Sequence, residues 1–70
     1  MELGAKIRQL RTEHSLSQEA LAHALGVSRQ AVTKWEAGAA LPSTANLLAL
    51  AKLYGVSPEE LLHNAQNGNT

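Results

Sequence analysis

Apolar residues recur along this chain at intervals of three and four, the period of amphipathic helices, and no stretch alternates as a half-buried strand would. The first segment, about Glu2 to His14, sets Leu3, Ile7, Leu10 and His14 on one face, with Lys6, Arg8, Gln9, Thr12 and Glu13 largely elsewhere. Three later helix starts share one device: an apolar residue, then a serine, then a second apolar residue five positions after the first. This is the spacing of a hydrophobic staple around an N-cap. Leu16, Ser17 and Leu21 open the second helix; Val27, Ser28 and Val32 the third; Val56, Ser57 and Leu61 the fifth. The last adds Pro58 at the first helical position and Glu60 in a capping box. A fourth helix, about Thr44 to Tyr54, presents Leu47, Leu50, Ala51 and Tyr54 on one face. Gly26 and Gly55 each precede a Val-Ser pair, where a left-handed residue would close one helix before the next begins. Past Asn64 the segment reads as a flexible tail or the start of a linker, so the expected organisation is an all-α domain over 1–64 and a tail over 65–70.

Length sharpens that picture. Seventy residues hold one modest core, and without cysteine that core has neither a disulfide nor a thiolate metal site to staple it. Helix packing must supply the stability. The longest apolar run, Leu47 to Ala51, is far short of the roughly 20 residues a membrane-spanning helix needs. With no signal-peptide pattern at the N-terminus, a cytoplasmic location with no membrane partner is expected. Six basic and six acidic residues give zero formal net charge, which is unusual for a nucleic-acid binder and moves attention from total charge to its placement.

The third helix is where placement speaks. Projected at about 100° per residue, Ala31, Val32, Trp35 and Glu36 fall on one side with Ser28, while Arg29, Gln30, Thr33, Lys34 and Ala37 fall on the other. The outward side chains include those that read a major groove: Arg and Lys pair with guanine, Gln with adenine, and a Thr methyl touches the thymine methyl. They would equally solvate an exposed helix. A helix N-terminus ordinarily attracts acids, as Glu19 and Glu59 with Glu60 illustrate on the second and fifth helices, yet the third begins with Arg29. A cation at that position makes sense beside phosphates and base edges.

Leu16-Ser17-Gln18-Glu19-Ala20-Leu21-Ala22, Gly26-Val27-Ser28-Arg29-Gln30-Ala31-Val32, Lys34-Trp35-Glu36 and Leu41-Pro42 follow one another in an order that resembles the Cro and phage-repressor (XRE) helix-turn-helix family. The resemblance extends over about Ile7 to Leu62. It implies a five-helix, lambda-repressor-like domain with the helix-turn-helix at helices 2 and 3, binding operator DNA, most often as a repressor. Carried over residue by residue, it implies base contacts from Ser28, Arg29, Gln30, Thr33 and Lys34, with Arg29 and Gln30 foremost. It implies phosphate contacts from Ser17 and Gln18 and, around the next helix start, from Ser43, Thr44 and Asn46. It further implies a pair between Arg11 and Glu36, read either as a structural ion pair or as leaving Arg11 free for a base. Ala37, Ala39 and Ala40 depart from the family, whose members often carry polar residues there. Neutral donors and helix N-termini can grip phosphates without formal charge, which reconciles the family with a neutral chain.

Other readings fall to the side. Trp35 could serve as a stacking platform for single strands, but its inward position makes it a core residue. His14, His23 and His63 lie on separate segments without acid or thiol companions at ligand spacing, so they read as surface or cap residues and no metal is expected. No nucleophile, base and acid arrangement stands out, so neither catalysis nor a cofactor is expected. The expected partner is double-stranded DNA bearing a palindromic operator, bound by a homodimer whose half-sites lie about 34 Å apart. The rival expectation is a protein-interaction module, such as an antitoxin or a regulatory subunit, using the same fold on a protein effector. Neutral charge and the alanine-rich loop favour that rival.

Overall fold

The computed structural model describes residues 3–66, with side chains described through 62. Five helices follow one another: α1 (Leu3–Glu13), α2 (Gln18–Leu25), α3 (Arg29–Ala37), α4 (Thr44–Tyr54) and α5 (Pro58–Gln66). The described residues form no strand. Four of the starts are fixed by a serine whose Oγ accepts a backbone N–H three residues on: Ser17 from Ala20 at 3.0 Å, Ser28 from Ala31 at 3.1 Å, Ser43 from Asn46 at 3.2 Å and Ser57 from Glu60 at 2.9 Å. Each cap satisfies one of the N–H groups that a helix start leaves unpaired.

The helix ends are equally uniform. After α2, α3 and α4 the chain turns through Gly26, Gly38 and Gly55 at φ of 71°, 78° and 71°, a conformation that glycine adopts without a side-chain penalty. The next residue donates back across the turn, Val27 to Ala22, Ala39 to Lys34 and Val56 to Ala51, at 3.0, 2.9 and 3.0 Å. α1 ends in the same way, with Leu16 donating to Arg11 at 3.0 Å, but there the left-handed residue is Ser15 at φ 58°. The expected boundary at Asn64 falls inside α5, because Ala65 and Gln66 contain no glycine or proline to stop the helix. The tail expected at 67–70 lies outside the described residues.

The core takes Ile7 and Leu10 from α1, Leu21 and Ala22 from α2, Val32 and Trp35 from α3, Leu50 and Tyr54 from α4, and Leu61 from α5. Leu16, Val27 and Val56, the outer halves of the three staples, pack against its edge. Each large aliphatic side chain buried here contributes roughly 1.5–3 kcal/mol. The α1 stripe differs from expectation at its ends. His14 lies beyond the helix and is exposed, while Gly4 is buried. α1 crosses α3 so closely that a Cβ on Gly4 would lie 2.3 Å from the Trp35 carbonyl oxygen and 2.8 Å from that of Glu36. Glycine is a poor helix former, and this one, in the first turn of α1, permits the approach. The same crossing brings Arg11 to Glu36.

Candidate nucleic-acid interface

With Val32 and Trp35 sunk in the core, α3 has one rotational setting, and its opposite face carries Arg29, Gln30, Thr33, Lys34 and Ala37, all exposed. Arg29, Gln30, Thr33 and Lys34 line an open groove together with Gln18, the first residue of α2. Ser28 stands at the N-cap of α3, where its Oγ is occupied as an acceptor but its hydroxyl hydrogen stays available. Ser17 and Ser43 are in the same state. Arg29 is the first residue of α3, and no acid occupies that helix's first turn. Acid-free starts are shared by α1 and α4, so the distinctive feature of α3 is a cation at the first helical position.

Behind the groove a chain of polar contacts runs from α1 to α3 through α2. Arg11 grips Glu36 with two donors, Nε to Oε2 at 2.6 Å and Nη2 to Oε1 at 3.2 Å, while Nη1 donates to the Leu16 carbonyl at 2.8 Å. The side chains are only 13% and 5% exposed, so this is a largely desolvated pair. Hydrogen bonding to the carboxylate raises the Arg11 pKa above its ordinary value. Gln18 Nε2 donates to Glu36 Oε1 at 3.1 Å, and Gln18 Oε1 accepts from Thr33 Oγ1 at 2.9 Å. An anionic carboxylate tolerates only the NH₂ end of that amide, so Glu36 fixes which way Gln18 points. The Thr33 hydroxyl has the Arg29 carbonyl at 3.0 Å as its other acceptor, and both of its acceptors lie within the protein. Gln18 therefore reaches the groove with one amide hydrogen free.

The second expected cluster stands apart. Ser43, Thr44 and Asn46 begin α4, with Thr44 exposed and Asn46 half-buried, and none of them lines the groove. The loop before them runs through Ala39, Ala40 and Leu41, the last 80% exposed, to buried Pro42. Of the histidines, His14 has Nδ1 2.8 Å from the Leu10 carbonyl and its ring 5.0 Å from that of Tyr54, and His23 is exposed. The reading of His63 as a surface residue lies outside the described side chains. Among the described residues no three metal-ligating side chains cluster. Trp35 is buried in the core.

Gly4 and the setting of the Tyr54 hydroxyl escaped the sequence, which places Tyr54 itself on the inward face of its helix. Gly4 sets the distance between α1 and α3, and a glycine interrupting a helical period was its one visible signal. Tyr54 brings a hydroxyl into the core near the Arg11–Glu36 pair with no partner of its own, and burial pushes its pKa up to about 12.

Two capped helices, α2 and α3, joined at the Gly26 corner, with one face of α3 in the core and the other lining an open polar groove, define a helix-turn-helix domain. The chain belongs to that family, whose model, described as helix-turn-helix, matches residues 7–61. It is 45% identical over 62 residues to the HTH-type transcriptional activator BcrR of Enterococcus faecalis, covering 89% of this chain and 30% of that protein. The DNA-binding domain of the P22 c2 repressor, solved by NMR, superposes with a TM-score of 0.82 at 39% identity, covering 89% of this chain and 82% of that one. The crystal structure of the same repressor in complex with a synthetic operator also gives 0.82, at 38% identity over 87% of this chain and 92% of that one. The chain spans between 28% and 56% of the length of the first curated relatives it matches.

Proposed function

We propose that this domain binds double-stranded DNA sequence-specifically as a transcriptional regulator, laying α3 in the major groove. One observation carries the reading: a single open groove gathers Gln18, Arg29, Gln30, Thr33 and Lys34, while the opposite face of α3 is locked in the core. Arg29 and Gln30, nearest the helix N-terminus, are the principal base readers, as N-terminal residues of a recognition helix are. Lys34 and the free hydroxyl hydrogen of Ser28 complete the reading set. Thr33 presents its methyl to thymine, because the acceptors of its hydroxyl lie within the protein. Ser17, Gln18, Ser43, Thr44 and Asn46 hold phosphates as neutral donors. The structure of the P22 repressor with operator DNA supports the reading through its similarity to this chain.

A homodimer on a palindromic operator, in the cytoplasm, completes the proposal, since one domain of this size reads too few bases alone. Repression follows where the operator overlaps a promoter. The sign belongs to the site bound, and similar chains are named an activator in one case and a repressor in another. A second reading, docking on a protein effector, is favoured by Leu41 and Leu48, which are 80% and 52% exposed.

Titrating the isotope-labelled domain with a duplex pool and following backbone amides by NMR separates the two. DNA reading predicts the largest shifts at residues 17–18 and 28–37. Shifts that leave residues 28–37 unmoved would overturn reading by α3, and no shifts at low salt would overturn DNA binding in favour of the protein partner.

A further inference from the structure

Beside the reading groove lies a second recess, lined by Arg8, Arg11, Gln18, Thr33, Glu36 and Ala37. Gln18 and Thr33 line both, so the two are adjacent. Two guanidinium groups against one carboxylate leave this lining one net positive charge. The carboxylate is already committed: Glu36 accepts from Arg11 twice and from Gln18 once. Arg11 spends three of its N–H groups on Glu36 and Leu16. Arg8 differs. It is exposed, it stands three residues before Arg11 on α1, and the one salt bridge among the described residues does not involve it. Across the recess Ala37 offers a methyl group and no donor of its own.

From this arrangement we propose that Arg8 is a DNA-backbone contact. Its guanidinium engages one phosphate of the strand flanking the reading groove, and the free amide hydrogen of Gln18 is the second donor to that phosphate. The inference rests on the DNA reading proposed above and adds to it a charged anchor on α1, outside the helix-turn-helix. Arg8 carries no sequence information there, because phosphate contacts position a protein without discriminating bases. Glu36 takes part indirectly: by orienting the Gln18 amide it keeps the carbonyl away from the incoming anion.

The test is the salt dependence of binding to a random-sequence duplex pool of about 20 base pairs, two helical turns. Wild type is compared with Arg8→Ala, Arg8→Gln, Arg8→Lys and Lys52→Ala, the last removing an exposed cation from α4, outside both recesses. Arg8→Ala and Arg8→Gln are expected to flatten the plot of log affinity against log salt by about 0.9, the share of one phosphate. Between roughly 50 and 200 mM salt they should therefore lose about threefold less affinity than wild type does. Arg8→Lys keeps the slope, Lys52→Ala leaves it unchanged, and melting temperatures stay at the wild-type value. Wild-type binding with an unaltered slope in Arg8→Ala and Arg8→Gln would overturn the Arg8 contact alone. An equal flattening in Lys52→Ala would overturn it too, exposing a general charge effect. No wild-type binding at low salt would overturn the DNA reading and the contact together.

Discussion

The groove along α3 and the loop that follows it, residues 38–43, are built on opposite plans. In the groove Val32 and Trp35 set the rotation of α3, and two of the polar side chains are held: Glu36 orients Gln18, which receives the Thr33 hydroxyl. The loop offers Ala39, Ala40 and exposed Leu41, then one capping serine. Discrimination between bases needs side chains held to a fraction of an ångström, whereas a phosphate accepts backbone N–H groups and hydroxyls in many arrangements. This chain thus concentrates its ordered polar chemistry in the groove proposed to read sequence, and its loop offers only neutral groups.

The contrast breaks first at the support behind the groove. Arg11→Ala leaves the Glu36 carboxylate largely desolvated and unpaired, at an expected cost of about 3–5 kcal/mol, while Arg8→Ala costs almost nothing. Equal melting temperatures for the two variants would contradict the structural role of the pair. Gly4→Ala comes next, because its methyl group collides with the carbonyls of Trp35 and Glu36 and the helices must part. A loss of roughly 1–3 kcal/mol in denaturant unfolding is expected, as for other overpacked sites. Gly26→Ala meets nothing within 4 Å and loses only about 1 kcal/mol, through backbone conformation. Ser15→Gly, at the one corner without glycine, should gain about 1 kcal/mol, and a loss of stability there would refute the equivalence of the four corners.

Alkaline titration gives a smaller but signed effect. Tyr54 ionises at about 12 in the folded chain, above its ordinary value of 10.0. The neutral form is therefore favoured by folding: its contribution is complete below pH 10 and is lost as pH rises from there toward 12. Tyr54→Phe should remove that loss and, having no orphaned hydroxyl to bury, should be close to wild type at neutral pH. Urea midpoints followed against pH for both proteins check the sign. The smallest effect concerns the loop. With neutral donors supplying most of the grip, the slope of log affinity against log salt should be shallow, and a slope near that of strongly basic binders would show that cationic side chains, not neutral donors, hold the phosphates.

Much of this architecture is legible in the residues because it rests on local rules. A serine between two staple residues places a helix start, and glycine before Val-Ser places a corner; α4 runs from Thr44 to Tyr54, as its apolar period indicates. The two faces of α3 follow from one rotation about its axis. What escaped is whatever depends on how helices cross. Nothing local distinguishes Gly4 from a poor helix former, and it takes the approach of α3 to give it a purpose. Ser15 hides a fourth corner because serine usually marks a cap, and nothing local shows that Glu36 and Thr33 orient the Gln18 amide and leave it one free hydrogen. Arg8 likewise looks like one of several solvated cations until it is seen to line a recess with Gln18 and Thr33.

The central claim is that the exposed face of α3 reads bases, and selecting bound duplexes from a random library with wild type and Arg29→Ala in parallel tests it most directly. The account predicts that wild type enriches a palindrome, and that Arg29→Ala binds the same pool with the preference relaxed at one position in each half-site. Each relaxed position should lose about 1–3 kcal/mol of discrimination. Enrichment of the same palindrome with undiminished preference by Arg29→Ala, or no enrichment by wild type at low salt, would contradict it.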